Sequence, residues 1–202
     1  MDQTGIRDSG SQDAGRKSRE CFDRWAPRYD RSAQQRFFFG PGHVAALKAA
    51  RAAGVAPDDV LDVGCGTGRL LERVAQDWPH ARLAGIDAAP LMIAEARRKH
   101  DGDGRFDFQV GDAVVLPFRA LSVDVVFSTF SHHHWSDQQA AVGEIARVLR
   151  PGGLLVLANM EVYPAAGVRR TLFEHAGLEV IEQSRPLRLA AAVLVTAGRK
   201  AR

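Results

Sequence analysis

The chain is 202 residues long, 46% hydrophobic and 25% charged, with 27 basic and 24 acidic side chains. That size and mix describe one soluble globular domain with a real core, and a net charge of +3 is too slight to argue for nucleic acid as a partner. No apolar run approaches the ~20 residues of a membrane span, the polar start has no signal-peptide core, and the distant Cys21 and Cys65 read as free thiols of a reducing cytoplasm.

Residues 1–16 are rich in Gly, Ser, Asp and Gln with almost nothing to bury, and read as a disordered polar tail. From Lys17 a helix is expected, because Cys21, Phe22, Trp25 and Tyr29 recur every three or four residues. Phe37, Phe38 and Phe39 follow; three consecutive aromatics cannot all face one way, so at least one is expected to line a cavity or a partner surface. Pro41 to Ala53 reads as a helix, with Pro at its start and Gly54 just past its end.

The chain is organised around Val60–Gly68, VLDVGCGTG. Val60, Leu61 and Val63 form the apolar run of a strand buried on both faces, and Leu70, Leu71, Val74 and Trp78 recur at helical spacing behind the glycines. A strand, a glycine turn and a helix N-terminus present bare backbone and free amides to another molecule. The dinucleotide fingerprint G-x-G-x-x-G is not met, since Arg69 holds its third glycine position, and the Gly-Lys-Ser/Thr of a P-loop is absent. A second strand, Arg82–Ile86, ends at Asp87, 23 residues beyond Gly64. That is close to the ~20 at which a carboxylate grips ribose hydroxyls.

Pro90 through Arg98 reads as the next helix, and Phe106, Phe108 and Val110 alternate in a third strand ahead of Gly111-Asp112-Ala113. The fourth strand, Asp124–Ser128, runs into Thr129-Phe130-Ser131-His132-His133-His134-Trp135. Ser136, with Gln139 three residues on, suggests a capping box for a helix carrying Ala140, Ala141, Ile145, Val148 and Leu149. After Arg150-Pro151-Gly152-Gly153 come a strand at Leu154–Asn159, a helix from Tyr163 to Ala176, and strands near Leu178–Gln183 and Leu187–Ala197. With no repeat and no linker, the alternation implies a single α/β domain: a doubly wound sheet binding its ligand at the carboxyl ends of the strands.

VLDVGCGTG resembles the first motif of the class I S-adenosylmethionine-dependent methyltransferases, hh(D/E)hGxGxG, with Asp62 at the acidic position. Gly111–Phe118 (GDAxxLPF) resembles the third motif, FDRWAPRYDR (Phe22–Arg31) is similar to a segment many small members carry ahead of the core, and LRPGG resembles the family's approach to strand five. These stretches span Phe22 to Gly153 and look like the ubiquinone/menaquinone C-methyltransferase-like (type 11) branch. The resemblance implies a Rossmann-like, three-layer fold with a seven-stranded, mostly parallel sheet whose last strand is antiparallel. It implies S-adenosylmethionine as cofactor and S-adenosylhomocysteine as product. It implies cofactor contacts from Asp62, Gly64, Cys65, Gly66, Gly68, Asp87, Ala88, Met92, Asp112, Ala113 and Ser128, with Asp87 on the ribose, Met92 on the adenine face, and Asp112 and the Ala113 amide on the adenine edge. Residues 17–40 would form a lid segment on a domain covering 17–202, with Tyr29 facing the methyl group.

Three adjacent histidines are not a metal site, since neighbouring side chains point apart and no other Cys or His has ligand spacing. In the family, His133 and His134 match a frequent His-His or His-Trp pair at the substrate face, where an imidazole can take a proton from a hydroxyl or activated carbon or simply hold the substrate. Amino-group methyltransferases resemble one another in carrying Asn/Asp-Pro-Pro-Tyr after strand four; Ser-Thr-Phe-Ser here favours an oxygen or carbon acceptor. Met160 to Pro164 leaves no room for the cap many members insert, so the N-terminal segment or a second subunit is expected to cover a natural-product or quinone-type acceptor. Two other functions share these motifs: a protein that keeps the cofactor without methylating, such as a cyclase or binding partner, and an RNA methyltransferase. The second predicts a basic face, whereas Arg97-Arg98-Lys99 and Arg169-Arg170 read as solvated helix faces. A nicotinamide oxidoreductase is disfavoured by Arg69.

Overall fold

A computed structural model describes residues 9–160, 165–185 and 193–202. Seven strands form one sheet in the order β3-β2-β1-β4-β5-β7-β6. They are β1 (Asp59–Val63), β2 (Arg82–Asp87), β3 (Phe106–Val110), β4 (Val123–Thr129), β5 (Leu149–Met160), β6 (Leu178–Ser184) and β7 (Val193–Lys200). The first five run parallel, and β7 lies antiparallel to both β5 and β6, as the family resemblance implied.

Alternate residues of the central strands feed two separate cores, which is why β1, β4 and β5 read as continuous apolar runs. Val60, Val125, Phe127, Leu154 and Val156 pack with α2 (Gly40–Ala52), α3 (Arg69–Asp77) and α4 (Pro90–Lys99) on one face. Leu61, Val63, Val126, Leu155 and Leu157 pack with α5 (Gln138–Val148) and α6 (Ala165–His175) on the other. The strand order reverses between β1 and β4, so the carboxyl ends of these two strands open the crevice in which such sheets bind ligands.

Several boundaries differ from the sequence expectation. The first helix, α1, spans Ser9–Tyr29 and so begins within the stretch expected to be a polar tail, because no proline interrupts the chain before Pro27. Helix α5 is capped by Asp137, whose carboxylate accepts from the Ala140 amide at 2.9 Å, and not by Ser136; the helix starts one residue later than the Ser136–Gln139 pattern suggested. Strand β5 starts at Leu149, ahead of the glycines, because Leu149 already pairs with Val123 before the register shifts. The residues expected to begin the last strand (187–192) and the preceding helix (Tyr163 and Pro164) lie outside the described residues.

Strand β7 shows how tightly the second core is filled. A methyl group built on Gly198 would stand 2.2 Å from Cδ1 of Phe173, whose ring is wholly buried. Gly198→Ala should therefore cost about 1–3 kcal/mol by overpacking, read as a lower midpoint in urea unfolding. An unchanged midpoint would contradict this account of the β7–α6 contact.

Candidate active site at the carboxyl edge of the sheet

At the end of β1 the amides of Gly64 and Cys65 both donate to the Ile86 carbonyl, at 2.8 and 3.1 Å, which bends the chain across the end of β2. Gly64 and Gly66 have φ of +78° and +52°, a region that glycine enters without penalty. A side chain at Gly64 would run into Ser131, and one at Gly66 would enter the gap below Tyr29. The Asp87 carboxylate closes this turn: one oxygen accepts from the Gly66 amide at 2.8 Å and the other from the Ala89 amide at 2.9 Å. The Ala88 amide contributes as well, and a carboxylate offers about four acceptor positions, so part of its capacity is left for a ligand.

Asp87 faces a cavity of about 440 Å³. Gly64, Gly66, Ile86, Ala88 and Met92 line one side, Asp112 and Ala113 at the end of β3 extend it, and Ser131 and His134 beyond β4 close the far side. Its cover is α1, where Arg19, Phe22 and Tyr29 fall on one helical stripe with the buried Ala26. Rings continue from α1 into the domain. Phe22 meets His134 edge-on at 5.3 Å, Trp25 meets Tyr29 at 4.8 Å, and Phe39 bridges Tyr29 and Phe130 at 5.8 and 5.0 Å. Of the three phenylalanines Phe37–Phe39, then, Phe39 turns inward while Phe37 and Phe38 stay exposed. Two ties hold α1 down. Asp23 accepts from the Leu91 amide at the start of α4, and Asp30 takes both the Thr67 hydroxyl at 2.6 Å and the Lys99 ammonium at 2.8 Å.

A family profile described as a methyltransferase domain matches residues 61–157. The demethylmenaquinone methyltransferase of Deinococcus radiodurans is 34% identical over 169 residues, covering 81% of this chain and 70% of that protein. The chain belongs to the class I S-adenosylmethionine-dependent methyltransferases, in the quinone C-methyltransferase-like branch. The malonyl-acyl-carrier-protein O-methyltransferase of Hahella chejuensis is 39% identical over 118 residues, 58% of this chain but 39% of that protein. Against such relatives the chain spans half of their length or less. Among solved structures, a chain of the complex between a methyltransferase activator of Haloferax volcanii and a methyltransferase superposes with a TM-score of 0.73 at 27% identity, covering 90% of this chain and 98% of that one.

The cofactor of this methyltransferase family is S-adenosylmethionine, and the residues present suit it. Asp87 retains acceptor capacity for a pair of ribose hydroxyls, and Gly66 leaves room beneath Tyr29. Asp62 lies directly under the turn, fully buried, with Oδ1 lacking any hydrogen bond among the described residues. Burial, reinforced by the neighbouring Asp87 charge, pushes the Asp62 carboxyl up to about 8, and burial also raises Asp87. A cationic group would favour the ionised form of these poorly solvated carboxyls, which suits a ligand whose methionine end carries an ammonium and a sulfonium.

The structure sorts the residues expected from sequence. Gly64, Gly66, Asp87, Ala88, Met92, Asp112, Ala113, Tyr29 and His134 line the cavity. Asp62, Cys65, Gly68 and Ser128 stand behind its wall. Gly68 (φ +81°) starts α3 against the Phe108 ring, the Cys65 thiol points to the Gly66 carbonyl, and Ser128 shares a 2.6 Å hydrogen bond with Ser131, which donates to the Val63 carbonyl. His133 is also set off the cavity: its ring lies 3.8 Å from that of His134, and its Nδ1 meets Asn159 Oδ1 at 3.2 Å. Tyr29 is buried beside Asp87, Asp30 and Asp62, which drives its phenol further up, so it serves as a neutral hydroxyl and not as a base.

The sequence reading missed Arg19, Phe130 and Asn159. Arg19 was legible as the residue three before Phe22 on the same stripe. Phe130, at φ +55°, holds a backbone conformation that costs a non-glycine residue about 1–3 kcal/mol, and the bare face of Gly42 admits its ring. No sequence pattern signals such strain.

Because its carboxyl is raised in the folded state, Asp62 keeps a proton between pH about 4 and about 8 that the unfolded chain releases. Stability from this group is present at low pH and is lost as the pH rises through that window. Asp62→Asn removes the loss, so the variant's melting temperature relative to the parent should be higher at pH 8 than at pH 5. An equal difference at both values would contradict the buried, unpaired placement of Asp62.

Proposed function

We propose that the chain transfers a methyl group from S-adenosylmethionine to an oxygen or carbon of a small molecule, of the size and flatness of a quinol, phenol or aromatic natural product. The observation that carries this is a single cavity joining two kinds of wall. Asp87, Asp112 and the glycine turn lie on one side, and Phe22, Tyr29, His134 and Trp135 on the other.

The bound cofactor supplies a methyl already activated on a positive sulfur. The protein's work is alignment and exclusion of water. The Asp87 oxygens hold the ribose, Met92 packs on the adenine face, and Asp112, whose Oδ1 accepts from the Val114 amide at 3.2 Å, offers its free oxygen at the adenine edge. Tyr29 and Phe22 close the site from α1, held by the Asp30 and Asp23 ties. The apolar and aromatic wall suits a flat acceptor, and its rings offer no row of acceptors for an amine. The proton such an acceptor gives up goes to the His133–His134 pair. Burial lowers both imidazoles, His134 to about 4, so both are neutral at pH 7.

Two arrangements stay with the proposal: the site covered by α1 alone, or by a second copy of the chain. The activity test is formation of S-adenosylhomocysteine with a panel of quinols, phenols and amines. Turnover is expected with hydroxyl or activated-carbon acceptors, and turnover with amines alone would contradict the reading. For the cofactor, Asp87→Ala should weaken S-adenosylmethionine binding by about 1–3 kcal/mol, the loss expected of charge-assisted hydrogen bonds. Calorimetric titration measures it, and an unchanged affinity would remove Asp87 from the ribose.

A further inference from the structure

Asn159 lies on β5 and is 2% exposed, flanked by β4 and by Leu194 of β7. A primary amide buried this deeply is costly unless both its ends are hydrogen-bonded. Both ends go to the histidine turn after β4. The amide nitrogen meets Nδ1 of His132 at 2.6 Å, and the amide oxygen meets Nδ1 of His133 at 3.2 Å.

An amide has one donating and one accepting end, so these two imidazoles cannot share a tautomer. His132 accepts at Nδ1 and therefore carries its proton on Nε2. His133 donates from Nδ1, which leaves its lone pair on Nε2, the nitrogen at the outer end of the ring. A neutral histidine in water prefers the opposite arrangement, with the proton on Nε2. Asn159 thus holds His133 in the less common form, with Nε2 as the accepting nitrogen.

We propose that Asn159 is a positioning residue that fixes Nε2 of His133, the neighbour of the cavity-lining His134, as that ring's proton-accepting atom. This deepens the function proposed above and rests on its reading of the His133–His134 pair. The fixed ring lies 3.8 Å from that of His134, tilted against it, and His134 in turn meets Phe22 of the cover, so the buried amide and the cavity wall are joined through His133. Its hydrogen bond also opposes the effect of burial on His133.

The test reads protons directly, in ligand-free protein near neutral pH. Histidine labelled with nitrogen-15 distinguishes protonated from bare ring nitrogens by their two-bond couplings to the ring hydrogens. Seven histidines are few enough to assign with His132→Gln and His133→Gln. The parent should show His133 protonated on Nδ1 and His132 on Nε2. Asn159→Asp, which only accepts, should move a proton onto Nδ1 of His132 and leave His133 as it was. Asn159→Leu should return His133 to the Nε2–H form.

His133 protonated on Nε2 in the parent would overturn the proposal, as would an unchanged His133 in Asn159→Leu. If the leucine variant does not fold, the parent and aspartate spectra decide the matter alone. Titration with S-adenosylhomocysteine accompanies each protein. Lack of binding by the parent would fail the cofactor reading and leave the tautomer result standing, so the two failures are separable.

Discussion

The site depends on one carboxylate that ties two pieces of chain together. Asp87 ends β2, and its two oxygens take the amides of Gly66 and Ala89, fixing the glycine turn after β1 and the start of α4. Parallel pairing of β1 with β2 brings the three together, since Val63 is in register with Ile86. Because the turn is held from below by the Ile86 carbonyl and from the side by Asp87, its upper face is free to meet a ligand. The carboxylate proposed for the ribose thus also builds the glycine turn beside it.

That arrangement carries an energetic cost. Asp62 and Asp87 are both buried, and Asp62 has an oxygen with no partner among the described residues. Burial and the Asp87 charge keep Asp62 protonated below pH about 8 in the empty protein, and a cationic ligand would favour its ionised form. The same reasoning explains the cover. Asp30 adds a third carboxylate, but it is satisfied by Thr67 and by Lys99, which also pairs with Glu72 at 2.7 Å. The cover is thus anchored outside the cavity by one ion pair and by hydrogen bonds, and inside it offers rings and one arginine.

The fold was legible because both signals that specify it are local. Val60–Val63 and Asp124–Ser128 are apolar runs of strand length, and the glycines behind the first fall where the turn needs positive φ. The ends of elements were less legible. Asp137 outcompeted Ser136 as a cap because its side chain reaches the Ala140 amide, a choice between adjacent residues that spacing alone does not make. Within the site, Asp87 and Asp112 were readable from their places after strands, whereas Cys65 and Ser128 share the same stretches yet point away from the cavity. Nothing in the order of residues announces Asn159, which meets the histidines only because β5 lies beside β4.

The central claim is that the space above Asp87 takes an adenosyl ligand with a methionine end, not a nicotinamide dinucleotide. Calorimetric titration of the intact protein with S-adenosylmethionine, S-adenosylhomocysteine and NAD, side by side, tests it most directly. The structure predicts one-to-one micromolar binding of the two sulfur compounds and none of NAD. Binding of NAD, or silence with both sulfur compounds, would contradict it.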